Sequence, residues 1–73
     1  MKAITATQKG TTASGKRIMD VLILADVDPA TPPVDGTNVD GLTENDVFAP
    51  FSILYVNTGK VYIAGEDGAF APQ

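Results

Sequence analysis

The chain has 73 residues, 44% of them hydrophobic, and contains no His, no Cys and no Trp. Those absences exclude imidazole acid–base catalysis, thiolate nucleophiles, disulfides and the usual zinc sites, so neither an enzyme nor a cofactor is expected. Five basic residues against nine acidic ones give a net charge of −4, which argues against binding to a nucleic-acid backbone.

At this length one domain is the ceiling, and its core is marginal without disulfides or a metal. Oligomerisation remains as a source of burial, so self-association is expected, with a trimer as the favoured form.

Residues 2–8 (KAITATQ) are polar, but Ile4, Thr5 and Thr7 favour extended backbone, which predicts an edge strand or a loose arm. Residues 9–16 (KGTTASGK) are small and read as a turn or mobile loop. Lys2, Lys9, Lys16 and Arg17 are four of the five basic residues, and every acidic residue lies from Asp20 onward. Residues 1–16 therefore read as a flexible basic arm and loop.

Gly10–Arg17 also fits G-x-x-x-x-G-K. A phosphate-binding loop needs Ser or Thr at the next position and a helix behind it. Arg17 and a strand-like continuation stand there instead, so no nucleotide site is expected.

RIMDVLILADV, from Arg17 to Val27, is the strongest apolar run. Met19, Val21, Ile23 and Ala25 form one alternating set; Ile18, Asp20, Leu22 and Leu24 form the other. Both are mostly apolar, which predicts a strand covered on both faces. A helix competes, because Ile18, Leu22 and Ala25 also fall at helical spacing, but the run is short and Asp28-Pro29 closes it. Asp20 is expected to pair with Lys16, Arg17 or Lys60.

Residues 26–41 hold three prolines and a concentration of aspartates and glycines, which predicts a long, exposed acidic loop. Its Asp26, Asp28, Asp35 and Asp40 supply oxygens of the kind calcium takes, yet the spacing does not match an EF-hand, and aspartates also serve turns. Leu42–Asp46 has the pattern of one helical turn, with Thr43 as N-cap and Asp46 three residues on.

SILYVN, TGK and VYIAG read as two strands around Asn57-Thr58-Gly59, an antiparallel hairpin from Ser52 to Gly65. Ile53, Tyr55, Val61 and Ile63 share one face; Leu54, Val56 and Tyr62 share the other. Glu66-Asp67-Gly68 is a second turn, and Ala69-Phe70-Ala71 a short third strand. The expected class is all-β, a small antiparallel meander or barrel-like sheet with at most one helical turn. Residues 18–25 and 52–64 are expected to supply the core. The expected core or oligomer interface is Met19, Val21, Leu22, Ile23, Leu24, Phe51, Ile53, Tyr55, Val61 and Ile63. The aromatics Phe48, Phe51, Tyr55, Tyr62 and Phe70 also suit a sugar or peptide groove, though core or subunit contact is the commoner use.

DVLILADVDPA, the Pro/Gly loop and SILYVNTGKVYIAGEDGAF together resemble small bacteriophage virion proteins of the head-fibre or capsid-decoration type. The strand and turn Val61-Tyr62-Ile63-Ala64-Gly65-Glu66-Asp67-Gly68 is similar to a repeat in tail-fibre modules. The resemblance covers residues 18–72 in style and assigns no residue a role. It implies a non-catalytic protein that assembles, often as a trimer, on a phage particle. The alternatives are a small ligand- or glycan-binding module and a regulatory or inhibitor protein acting on a host partner. No apolar run reaches the roughly 18 residues of a membrane span, and MKAITATQKG lacks a signal-peptide core. The expected location is the bacterial cytoplasm during synthesis and the virion afterwards, with no membrane partner.

Overall fold

A computed structural model describes all residues, 1–73. Six strands form one mixed sheet: β1 Lys2–Thr11, β2 Arg17–Ala25, β3 Asp46–Phe48, β4 Ile53–Val56, β5 Val61–Ala64 and β6 Phe70–Pro72. The order is β1-β2-β4-β5-β6, with β3 also on β2. The chain is all-β, and no helix is long and apolar enough to cross a membrane.

Of the two forms expected for residues 2–8, an edge strand or a loose arm, the structure has the edge strand, and it runs on to Thr11 into the segment expected as a turn or mobile loop. β1 pairs antiparallel with β2 along its length, interrupted by irregularities between Ala3 and Thr5 and between Gln8 and Gly10. The Thr5 and Thr7 pattern favours this extension, and β2 supplies the hydrogen-bonding edge that fixes it. Thr12 Oγ1 closes the β1–β2 turn by accepting from Lys16 N at 3.0 Å. The G-x-x-x-x-G-K match therefore sits in a hairpin and leads into a strand.

The sheet is less uniformly antiparallel than its pattern suggested. β2 is parallel to both β3 and β4. β3 takes Arg17–Met19, and β4 takes Leu22–Ala25 on the same edge of β2. Parallel neighbours need a crossover of about a dozen residues or more, because the chain must travel back along the strand. Residues 26–45 make that return.

The crossover does not lie wholly in solvent, as residues 26–41 were expected to. Val39 is 3% exposed within the core, and Leu42 packs against it half-buried. Asp40 bridges Lys2, exchanging Ala3 N→Asp40 O and Asp40 N→Met1 O, each 2.9 Å. Gly36 donates to Asp46 O at 2.9 Å. A Cβ at Gly36 would overlap the Thr43 carbonyl oxygen and lie 2.8 Å from Thr43 N, so the close approach excludes any side chain.

Thr43 and Asp46 make half of a capping box without a helix: the Asp46 carboxylate reaches back to Thr43 N, while the Thr43 hydroxyl accepts from Asn45 N rather than Asp46 N. Thr43 N donates to Asp46 Oδ2 at 2.8 Å, and Asp46 N donates to Thr43 O at 3.0 Å. Pairing with β2 takes the chain at Asp46, so the turn runs into β3 rather than into a second helical turn. Asp46 is fully buried. Its Oδ2 accepts from Arg17 Nη2 at 2.9 Å, and its Oδ1 lies 2.6 Å from Arg17 Nε without an aligned hydrogen bond. Arg17 thus compensates Asp46, and not Asp20 as expected.

Between β3 and β4 the β2 edge would be left with a gap. Ser52, fully buried, fills it with its hydroxyl: Oγ donates to Met19 O and accepts from Val21 N, both at 3.2 Å. The β4–β5 hairpin turns at Asn57-Thr58-Gly59 as expected, and its register, Ile53↔Ile63, Leu54↔Tyr62 and Tyr55↔Val61, puts the expected residues together on each face. β6 follows the Glu66-Asp67-Gly68 turn. Gly68 has φ +79, and a Cβ there would lie 2.7 Å from Phe48 O, so glycine is required twice over. One face holds the core: Met19, Val21, Ile23, Ala25, Phe48, Leu54, Val56, Tyr62, Ala64 and Phe70, with Val39 from the crossover.

Candidate functional site

Alternation in a strand sends every second side chain to the opposite face. With Met19, Val21, Ile23 and Ala25 in the core, Leu22 and Leu24 must stand on the other face. Cross-strand register then adds Ile53 and Tyr55 from β4 and Val61 and Ile63 from β5. The result is one contiguous apolar face with nothing of this chain over it. Leu24 and Tyr55 are each 42% exposed and Ile53 is 39% exposed; Leu22, Val61 and Ile63 are half-buried. The expectation that β2 is covered on both faces therefore fails within one chain.

The ten residues expected at core or interface separate into two groups. Met19, Val21 and Ile23 are core. Leu22, Leu24, Ile53, Tyr55, Val61 and Ile63 line the open face. Phe51 stands apart, 80% exposed.

The backbone at Phe51 is unusual. Ala49-Pro50-Phe51-Ser52 is a turn closed by Ser52 N→Ala49 O at 3.2 Å, with Pro in the second place and Phe51 at φ +70 in the third. That is the type II arrangement, whose third residue is normally glycine. Phe51 N also donates to Ala64 O, and Ala64 N donates to Ser52 O, each at 2.9 Å. This is the hydrogen-bond signature of a G1 β-bulge, whose first residue is again glycine by preference. A bulky side chain in left-handed backbone is a conformational outlier, and here it projects into solvent. The A-P-F-S string contains Pro at the right turn position, but nothing in it places Phe where glycine belongs.

Polar groups on the open face sit at its β1–β2 side. Lys2 is opposite Leu24 and Thr7 is opposite Asp20, so Lys2 and Asp20 share the face with Leu22 between them. Neither belongs to an ion pair within the chain; the pairs formed are Arg17–Asp46 and Lys60–Asp28. Lys2 as a member of this face was not legible without the register.

A second polar cluster pins the start of the crossover. Asp28 accepts from Tyr62 Oη and from Lys60 Nζ, the latter at 3.1 Å, while Lys60 Nζ lies 5.1 Å from the centre of the Tyr62 ring. The Tyr62 hydrogen bond, with help from Lys60, holds the Asp28 carboxyl below its ordinary range. Asp28, and then Tyr62, raise the Lys60 ammonium. Asp35 is lowered by the Thr37 side chain and by its backbone N–H, which donates to Asp35 Oδ1 at 2.9 Å. The carboxylates of Asp28 and Asp35 thus serve local contacts, and no three His, Cys, Asp or Glu side chains converge as a metal site would require.

The sheet edges are poor docking strips. β1 carries Lys2, Lys9 and two register irregularities; β6 is three residues long and ends on Pro72. Lysines, bulges, shortness and proline are the devices that keep edges from pairing. The depression between Leu24 and Tyr55, lined also by Ala25, Asp26 and Asn57, holds about 150 Å³; two open depressions, one beside Lys2, Leu24 and Asp40 and one beside Val34, Phe48 and Pro50, hold about 320 and 350 Å³, at the lower limit of small-molecule pockets. The arrangement suits a flat apolar contact with another protein surface. No family model matches the chain, and no curated protein or solved structure matches it either.

Proposed function

We propose that this protein is a non-catalytic structural module that works by docking its open sheet face on protein, first of all on copies of itself. The carrying observation is the contiguous face of Leu22, Leu24, Ile53, Tyr55, Val61 and Ile63 beside two protected edges. Large exposed apolar patches on small domains mark interaction sites. The strained, exposed Phe51 supports the same reading, since backbone strain persists where a function holds it. A phage particle is the setting proposed for this work, and the support for it is the resemblance in style of residues 18–72 to head-fibre and capsid-decoration proteins.

Sedimentation equilibrium at micromolar concentration tests the reading. The expected mass is a multiple of 7.6 kDa. Leu24→Lys with Ile53→Lys should return it to one chain while leaving the β-sheet circular dichroism intact. A wild-type monomer across the concentration range refutes self-docking. Absence of the chain from purified particles of the phage whose genome encodes it refutes the particle assignment.

A further inference from the structure

Building on the proposed docking role of the open face, we infer that its occupant is a second copy of this chain, related by a two-fold axis that crosses β2 at Leu22. A patch that pairs with itself must be complementary to itself under rotation. This face meets that condition in three ways. Lys2 lies beside Leu24, two residues past Leu22, and Asp20 lies two residues before it. They are about 13 Å apart along the strand at about 3.3 Å per residue, too far to pair within one chain.

Turning a second sheet over so that its β2 runs antiparallel exchanges these two ends. Lys2 of each copy then meets Thr7 and Asp20 of the other, and both unpaired charges find partners. The same rotation sets Ile53 against Ile53 and brings Tyr55 toward the turn that carries Phe51, since that turn occupies the β2 edge between Met19 and Leu22. Facing sheets pack about 10 Å apart, a gap that a lysine and an aspartate reaching from opposite sides can span. A three-fold arrangement would instead bring like ends of the face together or leave them unmatched.

A charge-reversal cycle read by sedimentation tests this. Lys2→Glu alone and Asp20→Lys alone should each weaken the dimer about tenfold or more, since each places like charges together at both ends of the interface. The double variant, K2E with D20K, should restore affinity to within about threefold of the wild type. The chain has no cysteine, so Leu22→Cys should be bridged to its counterpart by a short bis-maleimide, while Thr58→Cys at the far hairpin turn should not. A dimer indifferent to the charge cycle, a dimer in which Leu22→Cys is not bridged, or a trimeric mass overturns the two-fold arrangement and leaves the docking face standing. A monomer at every concentration overturns both the arrangement and the self-docking role.

Discussion

Replacing Phe51 by glycine should make the isolated fold more stable and its assembly weaker. Left-handed backbone costs a non-glycine residue about 1–2 kcal/mol. Glycine loses about 0.5–1 kcal/mol of that gain through the extra freedom of its unfolded chain. The ring is 80% exposed, so its removal forfeits little packing within the chain. The net gain is about 0.5–1 kcal/mol for Phe51→Gly, or a rise of several degrees in Tm at about 4–8 °C per kcal/mol for a domain of this size. Phe51→Ala removes the ring but keeps the Cβ, so it should show none of this gain. Urea titrations of both variants, at concentrations below self-association, separate strain from ring. Sedimentation of the same proteins then reads assembly, which both should weaken. A Phe51→Gly protein that is less stable than Phe51→Ala refutes the strain argument. One that assembles as tightly as the wild type refutes the role given to the ring.

Ser52→Ala should cost about 1–3 kcal/mol, because the buried Val21 N loses its Ser52 acceptor while Met19 O keeps Ala49 N; chemical denaturation measures it. Gly36→Ala should cost about 1–3 kcal/mol through overlap with Thr43, read as a lower Tm. Asp28 should titrate below 3.8 in the wild type and nearer that value in Tyr62→Phe, followed by carboxyl NMR shifts. Its folded pKa lies below the unfolded one, so the Asp28 contribution is complete above the unfolded value and is lost as pH falls through the folded one. Loss of the Tyr62 contact on acidification should therefore begin below about pH 4.

Local chemistry decided much of the fold. β-branched and aromatic residues around Asn57-Thr58-Gly59 leave the β4–β5 hairpin few alternatives, and its register is set by the turn. The alternation from Met19 to Ala25 likewise separates two faces of β2 whatever packs on them. The presence of a long irregular segment after Ala25 follows from its prolines.

Other features depend on which segments meet, and no local pattern encodes that. The 26–45 segment is long because β2 and β3 run parallel, a relation between residues some thirty positions apart in sequence. The same distance separates Arg17 from Asp46, so the partner of each charge emerges only on folding, and Asp20 is left unpaired. Val39 looks like one more residue of a polar loop until the crossover carries it over the core. Phe51 carries no local mark of its left-handed backbone; the bulge exists because Ala64 pairs with both Phe51 and Ser52. The sequence alone determined two apolar faces on one central strand. Only the tertiary structure decided which face is the core, because one crossover can cover only one side of a sheet, and it left Leu22, Leu24, Ile53 and Tyr55 on the other.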